Sequence, residues 1–163
     1  MDENSFSGEK VDVDLQTVVK QVSQTILQPA GDKNISVYVN TESCVIKGIP
    51  SILEEIVFNL CDNAVKYNKN GGKVDITLKK ENDEAVLTVE DNGIGIPKDE
   101  QDRVFERFYR VDKSHSKEIG GTGLGLSIVK HGVTFLGGTL KMVSEIGKGT
   151  ELTMTFPKER KVV

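Results

Sequence analysis

The stretch Val89 to Leu126 limits the folds open to this chain more than any other. It opens Val89-Glu90-Asp91-Asn92-Gly93-Ile94-Gly95-Ile96-Pro97 and closes Gly120-Gly121-Thr122-Gly123-Leu124-Gly125-Leu126. The opening half reads as an apolar strand that runs into a carboxylate, Asp91. Gly93 and Gly95 then permit a tight turn where main chain can approach a ligand closely. The closing half is a glycine-rich turn that starts an apolar-periodic helix. The free N–H groups of such a helix start can hold a phosphate. Between the halves lies a polar stretch, Lys98 to Ile119, expected to be a mobile cover. Strand, carboxylate, glycine turn, cover and glycine-rich helix start together point to a nucleotide site.

The rest of the chain suits one globular domain. It has 163 residues, 37% hydrophobic and 28% charged, enough for a real core. A formal net charge of -4 argues against a nucleic-acid partner. No apolar run is long enough to span a membrane and no signal peptide is visible, so no membrane contact is expected and the compartment reads as cytoplasmic. Cys44 and Cys61 lack metal-ligand spacing and sit among apolar residues, which predicts two buried thiols. Residues 1–12 read as a linker remnant, 13–157 as the domain and 158–163 as a tail.

Leu15, Val18, Val19, Val22 and Ile26 recur at helical spacing, with Asp14 as the cap and an end near Pro29. Ile35 to Val39 and Cys44 to Lys47 read as strands, and Pro50 suits a helix start. Ile52 to Val65 carries a continuous apolar stripe. Val74 to Lys80 and Ala85 to Val89 alternate and are joined by Asn82-Asp83, a hairpin signal. Asp99 to Phe108 reads as a short helix in the cover. Leu124 to Val133 predicts another helix, closed by Gly137-Gly138. Thr139 to Val143 and Glu151 to Phe156 pair around Gly147-Lys148-Gly149. The class is α+β: a mixed, mostly antiparallel sheet with helices on one face.

Beside the apolar stripe of the central helix runs a polar one. At about 100° per residue, Asn59, Asn63 and Lys66 lie within roughly 60° of one another, flanked by Tyr67. Two carboxamides and a lysine are costly to bury without partners. Alone they would be a solvated face; beside the glycine-rich stretch they are ligand candidates.

Asn59-Leu60-Cys61-Asp62-Asn63-Ala64-Val65-Lys66-Tyr67, Asp91 to Ile96, Phe105-Glu106-Arg107-Phe108-Tyr109-Arg110 and Gly121 to Leu126 resemble four sequence boxes, N, G1, F and G2, in order and spacing. These boxes mark the catalytic, ATP-binding domain of sensor histidine kinases, within the gyrase, chaperone, histidine-kinase and mismatch-repair ATPase superfamily. The resemblance covers roughly Val13 to Phe156 and implies a Bergerat-type α/β sandwich with a mobile ATP lid over about 98–119. It implies ATP and Mg²⁺ as cofactors. It implies that Asn63 ligates the metal, with Asn59 in support, and that Lys66 and Arg110 reach phosphates. Asn63, Lys66 and Arg110 are the implied catalytic groups. Asp91 would accept from the adenine amino group, Gly93, Gly95 and Ile96 would form the turn beneath the base, and Tyr67, Tyr109 and Thr150 would flank the nucleotide. Gly121, Thr122, Gly123, Leu124, Gly125 and Leu126 would hinge the lid and cradle phosphate. Ile94 and Leu124 read as pocket walls.

The implied function is phosphoryl transfer to a histidine. The implied partners are a separate dimerisation and phosphoacceptor domain and a response regulator, in a membrane-anchored parent. His115 and His131 lack an acceptor's acidic neighbour, so the acceptor is expected outside these residues. Two alternatives stand beside this reading: a serine kinase of the anti-sigma type, and a nucleotide-gated interaction module without transfer activity.

Overall fold

The computed structural model describes residues 8–106 and 125–157. Strand β1 (Val11–Asp14) runs straight into helix α1 (Leu15–Thr25). Val11 and Asp12, read from the sequence as linker, are thus strand; β1 pairs antiparallel with a strand further on, Val45–Gly48. Asp14 caps α1, accepting from the Gln16 N–H at 3.1 Å. The same carboxylate accepts from the Ser43 hydroxyl (2.7 Å) and the Cys44 N–H (3.1 Å). These donors, led by Ser43, hold its pKa below the usual carboxylate value.

Helix α1 stops at Ile26, and Pro29 does not end it. Pro29 lies in a second short helix, α2 (Leu27–Asp32). As the third residue of α2 it sits in the first turn, where no N–H has an intrahelical acceptor to lose. Strands β2 (Ser36–Thr41) and β3 (Val45–Gly48) lead to α3 (Pro50–Lys66), which starts at its proline and buries the apolar stripe from Ile52 to Val65.

Strands β4 (Lys73–Glu81) and β5 (Glu84–Asp91) make a two-residue hairpin. Asn82 and Asp83 hold φ of 52° and 63°, the left-handed pair whose twist matches that of the flanking strands. From Gly125 onward come α4 (Gly125–Phe135), β6 (Thr139–Glu145) and β7 (Gly149–Phe156). Gly137, at φ 79°, ends α4, and the N–H groups of Gly137 and Gly138 bond back to Thr134 and Val133 carbonyls at 3.0 and 2.9 Å.

The main sheet has the order β2-β4-β5-β7-β6, with only β2 and β4 parallel. One face is apolar at every second residue, such as Val74, Ile76 and Leu78 on β4 and Leu152, Met154 and Phe156 on β7. It shares one core with the buried faces of α1, α3 and α4. This is the expected α+β class, a mostly antiparallel sheet with helices on one side.

The helix expected from Asp99 to Phe108 is not formed over its described part. Lys98–Glu100 is a single 3-10 turn. The chain continues in i→i+3 turns, Arg103 N–H to Glu100 carbonyl (3.0 Å) and Glu106 N–H to Arg103 carbonyl (2.9 Å). So short a segment seldom repays the cost of nucleating an α-helix, and the tighter turns still bury Val104 and pack Phe105 against the core. Phe108 lies outside the described residues. Cys44 and Cys61 are free and buried, and burial pushes the Cys61 thiol pKa up to about 12. Among the described residues no helix is long and apolar enough to cross a membrane.

Candidate functional site

The site begins where the inner face of the sheet stops being apolar. On β5 the inward positions are Ala85, Leu87 and Val89, and the next is Asp91. On β7 they run back from Phe156 through Met154 and Leu152 to Thr150, and on β6 from Leu140 through Met142 to Ser144. The strand register places Asp91 opposite Thr150, and Thr150 opposite Ser144. A period of two thus delivers one polar row, Asp91–Thr150–Ser144, at the end of an apolar face. The Gly93 N–H donates to Asp91 Oδ1 at 2.9 Å, and the Thr150 N–H donates to the same carboxylate. Burial pushes Asp91 up to about 6, against the pull of these two donors. A carboxylate so perturbed in a row of polar groups is a candidate functional group.

The turn after Asp91 is pinned on both sides. Gly95 has φ 74°, and a side chain there would strike the Glu145 carbonyl, so only glycine fits. The Ile94 N–H donates to the Tyr67 carbonyl (3.1 Å) and the Gly147 N–H to the Ile94 carbonyl (3.0 Å). The Ile96 N–H donates to Ser144 Oγ at 2.8 Å. Gly93 lies against the Tyr67 carbonyl and Asn68 Cα. The turn therefore bridges the end of α3 and the β6–β7 hairpin.

A second cluster lies where α4 crosses α3. A Cβ at Gly132 would come within 2.9 Å of Ile56 side-chain atoms, so the missing side chain lets the helices approach closely. Seven residues earlier, on the same helix face, Gly125 sits over the carboxamides: a Cβ there would meet Asn59 Oδ1 at 3.3 Å and Asn63 Oδ1 at 3.5 Å. The Asn59 amide N–H donates to the Glu55 carbonyl at 2.7 Å, which leaves its oxygen towards α4. Lys66 is ion-paired with Asp62 at 2.9 Å. Tyr67 is the C-cap of α3. Leu126 packs partly buried on the core.

The end of α3 is itself clamped. Lys33 Nζ donates to the carbonyls of Val65 (2.9 Å), Lys66 (3.0 Å) and Asn68 (2.9 Å). A cation suits these orphan C-terminal carbonyls. Partial burial lowers the Lys33 pKa.

The sequence-derived candidates thus form two groups. Asp91, Gly93, Gly95, Ile96 and Thr150 make one; Asn59, Asn63, Lys66, Tyr67, Gly125 and Leu126 make the other, and Tyr67 links them. Tyr109, Arg110, Gly121, Thr122, Gly123, Leu124 and His115 lie outside the described residues. His131 lies on α4, six residues beyond Gly125. Sequence reasoning missed Ser144, Lys33 and Gln101, whose Nε2 donates to the Ile96 and Ser144 carbonyls. Alternation along Leu140 and Met142 was the available signal for Ser144. Lys33 and Gln101 had none, since their partners lie on other elements.

Residues 48–160 match the family described as histidine kinase-, DNA gyrase B- and HSP90-like ATPase. The signal transduction histidine-protein kinase ArlS of Staphylococcus aureus strain USA300 is 35% identical over 155 residues, which is 95% of this chain and 34% of ArlS. The chain therefore spans about a third of the length of that curated relative. The mycobacterial sensor histidine kinase MprB shares the fold at a TM-score of 0.79 and 31% identity, over 91% of this chain and 97% of that one. Full-length ShkA in complex with AMPPNP matches at a TM-score of 0.79 and 28% identity, over 94% of this chain and 32% of that one.

Proposed function

Because this chain belongs to the histidine kinase-, DNA gyrase B- and HSP90-like ATPase family, we propose that it is the catalytic part of a two-component sensor histidine kinase. It binds Mg·ATP and passes the γ-phosphoryl group to a histidine on a dimerisation domain, from which a response regulator takes it. The observation that carries this reading is the half-buried carboxylate Asp91 in its polar row, joined through Tyr67 to the Asn59/Asn63 pair at the start of α4. MprB, 31% identical, is a sensor histidine kinase, and ShkA was solved with an ATP analogue; both support it.

Each group has a role that its chemistry suits. Asp91, ionised above its pKa of about 6, accepts from an adenine amino group. Asn63 Oδ1 and Asn59 Oδ1 are neutral oxygen donors that suit a hard ion such as Mg²⁺, and those two residues would hold it. When bound, the ion supplies charge neutralisation at the phosphates. Lys66 reaches phosphate by exchanging its Asp62 partner. Arg110, Tyr109 and the glycines at 121 and 123 keep the roles that the family resemblance implies. Asn59 is an amide and takes no proton, so it offers attacking water no base; that favours transfer to a side chain over hydrolysis.

Radiolabelled γ-phosphate with acid-labile detection tests this. The chain alone should bind ATP and form no phosphohistidine at His115 or His131; adding the dimerisation domain of the same kinase should produce one. Asn63→Ala should abolish transfer and weaken Mg·ATP binding by about 1.5–3 kcal/mol in calorimetry. Self-labelling at His115 or His131 would overturn the reading. Label on a partner's serine, with none on the histidine domain, would favour the serine-kinase alternative.

A further inference from the structure

Ser144 is absent from every site role described so far, yet three polar groups converge on its hydroxyl. The Ile96 N–H donates to Ser144 Oγ at 2.8 Å. Ser144 Oγ donates to the Gly149 carbonyl at 3.1 Å. Ser144 Oγ and Thr150 Oγ1 lie 2.8 Å apart. A hydroxyl has one hydrogen and two lone pairs. Ile96 N–H can only donate, so it takes one lone pair. The Gly149 carbonyl can only accept, so it takes the hydrogen. What remains on Ser144 is one lone pair, and the contact with Thr150 is closed by the hydrogen of Thr150. All three groups are satisfied at once in this arrangement alone, and an unsatisfied group here would be costly. Thr150 is then left with lone pairs and no hydrogen for the space beside Asp91, its direct cross-strand neighbour.

We propose that Ser144 is a specificity-determining positioning residue: by accepting the hydrogen bond of the Thr150 hydroxyl it makes Thr150 a hydrogen-bond acceptor beside Asp91, so that the row favours a purine bearing an amino group over one bearing a carbonyl. This rests on the reading that a nucleotide base occupies the row. The main chain of Ser144 is held separately: Gln101 Nε2 donates to the Ser144 carbonyl at 3.0 Å and to the Ile96 carbonyl at 2.9 Å. Removing the hydroxyl therefore leaves the strand and turn tied together and isolates the proton effect.

The experiment is calorimetry with ATP and inosine triphosphate on the whole chain. In Ser144→Ala the Thr150 hydroxyl is released, rotates and can donate. ATP should then weaken, inosine triphosphate should gain, and the ATP preference should fall about three- to tenfold, the worth of one hydrogen bond. In a Thr150→Val background Ser144→Ala should change the preference no further, since it acts through that hydroxyl. Ser144→Cys, a weak hydrogen-bonding group of similar size, should behave like Ser144→Ala, and gives the same comparison if the alanine variant does not fold. Ser144→Thr should keep the wild-type preference. An unchanged preference in the alanine or cysteine variant, or a shift that persists without the Thr150 hydroxyl, overturns the assignment. If the wild type binds neither nucleotide, it is the site reading that fails, and this inference falls with it.

Discussion

Asp91→Asn should make the nucleotide-free protein more stable at neutral pH while removing its ATP binding. Burial raises the Asp91 pKa from 3.8 to about 6. A shift of about 2 units corresponds to about 3 kcal/mol of penalty on the charged form. The sign follows from proton counting. Between 3.8 and about 6 the unfolded carboxyl has lost its proton and the folded one has not, so stability falls as pH rises through that window. Below it the penalty is absent, and above it the penalty is complete. An asparagine escapes the penalty at every pH. It loses some of the strength of the Gly93 and Thr150 N–H bonds and places an amide NH₂ where one oxygen stood, a cost of about 1 kcal/mol. The net gain at pH 7.5 should be about 1–2 kcal/mol, or roughly 2–8 °C in Tm for a chain of this size. Urea unfolding of both proteins without nucleotide, at pH 7.5 and pH 4, measures it. The gain should be clear at pH 7.5 and should vanish or reverse at pH 4. Wild-type ATP affinity should also fall as pH drops through about 6, as the acceptor becomes protonated. An asparagine variant that is less stable by the same amount at both pH values would refute the reasoning, because Asp91 would then be a structural hydrogen-bond acceptor without a buried-charge penalty.

Lys33→Met should lower stability by about 2 kcal/mol, since three charge-assisted bonds to the end of α3 are lost. Amide exchange around Lys66 to Asn68 should quicken with it, and an unchanged urea midpoint would show the clamp to be idle. Cys61, buried with its pKa near 12, should resist iodoacetamide at pH 8 until the protein unfolds, so that its labelling rate follows the urea transition.

Helices α1, α3 and α4 and the class were legible because apolar residues recur at helical spacing, unbroken along α3, and the Asn82-Asp83 hairpin has a distinct turn signature; α2 and the 3-10 turn at Lys98–Glu100 were not. Strand ends were less legible, for one reason repeated three times. Apolar alternation stops at Val89 on β5, Leu152 on β7 and Met142 on β6, and each strand then runs on by one more inward residue: Asp91, Thr150 and Ser144. Read by hydrophobicity, the strands end just before the site. Asp91 was still found, as the carboxylate that the strand runs into before the glycine turn, and Thr150 through the motif resemblance, whereas Ser144 had only the alternation. Lys33 was beyond reach, because its three acceptors lie 32 to 35 residues away and are main-chain carbonyls that no side-chain pattern announces. The separate β1–β3 ribbon is a pairing across a long stretch of chain, of the kind that local pattern does not encode.

The same three-fold coincidence sets how the polar row is held. A polar row at the end of a core face would ordinarily be a weak point, open to water and to strand fraying. Here main chain ties Asp91, through the Gly93 and Thr150 N–H groups, and Ser144, through Ile96 and Gly149; Ser144 in turn holds the Thr150 hydroxyl, and beside the row Asn59 is tied to the Glu55 carbonyl. The surroundings are tied as well. Buried Asn68 donates to the Lys73 carbonyl at 3.0 Å, and Asn92 accepts from the Lys73 N–H at 2.6 Å, joining the Asp91 turn to the start of β4. Held in this way, Asp91, Thr150 and Asn59 keep lone pairs for a ligand, whereas the Ser144 hydroxyl is fully used. A site held this way pays little ordering entropy at the base and around the carboxamides.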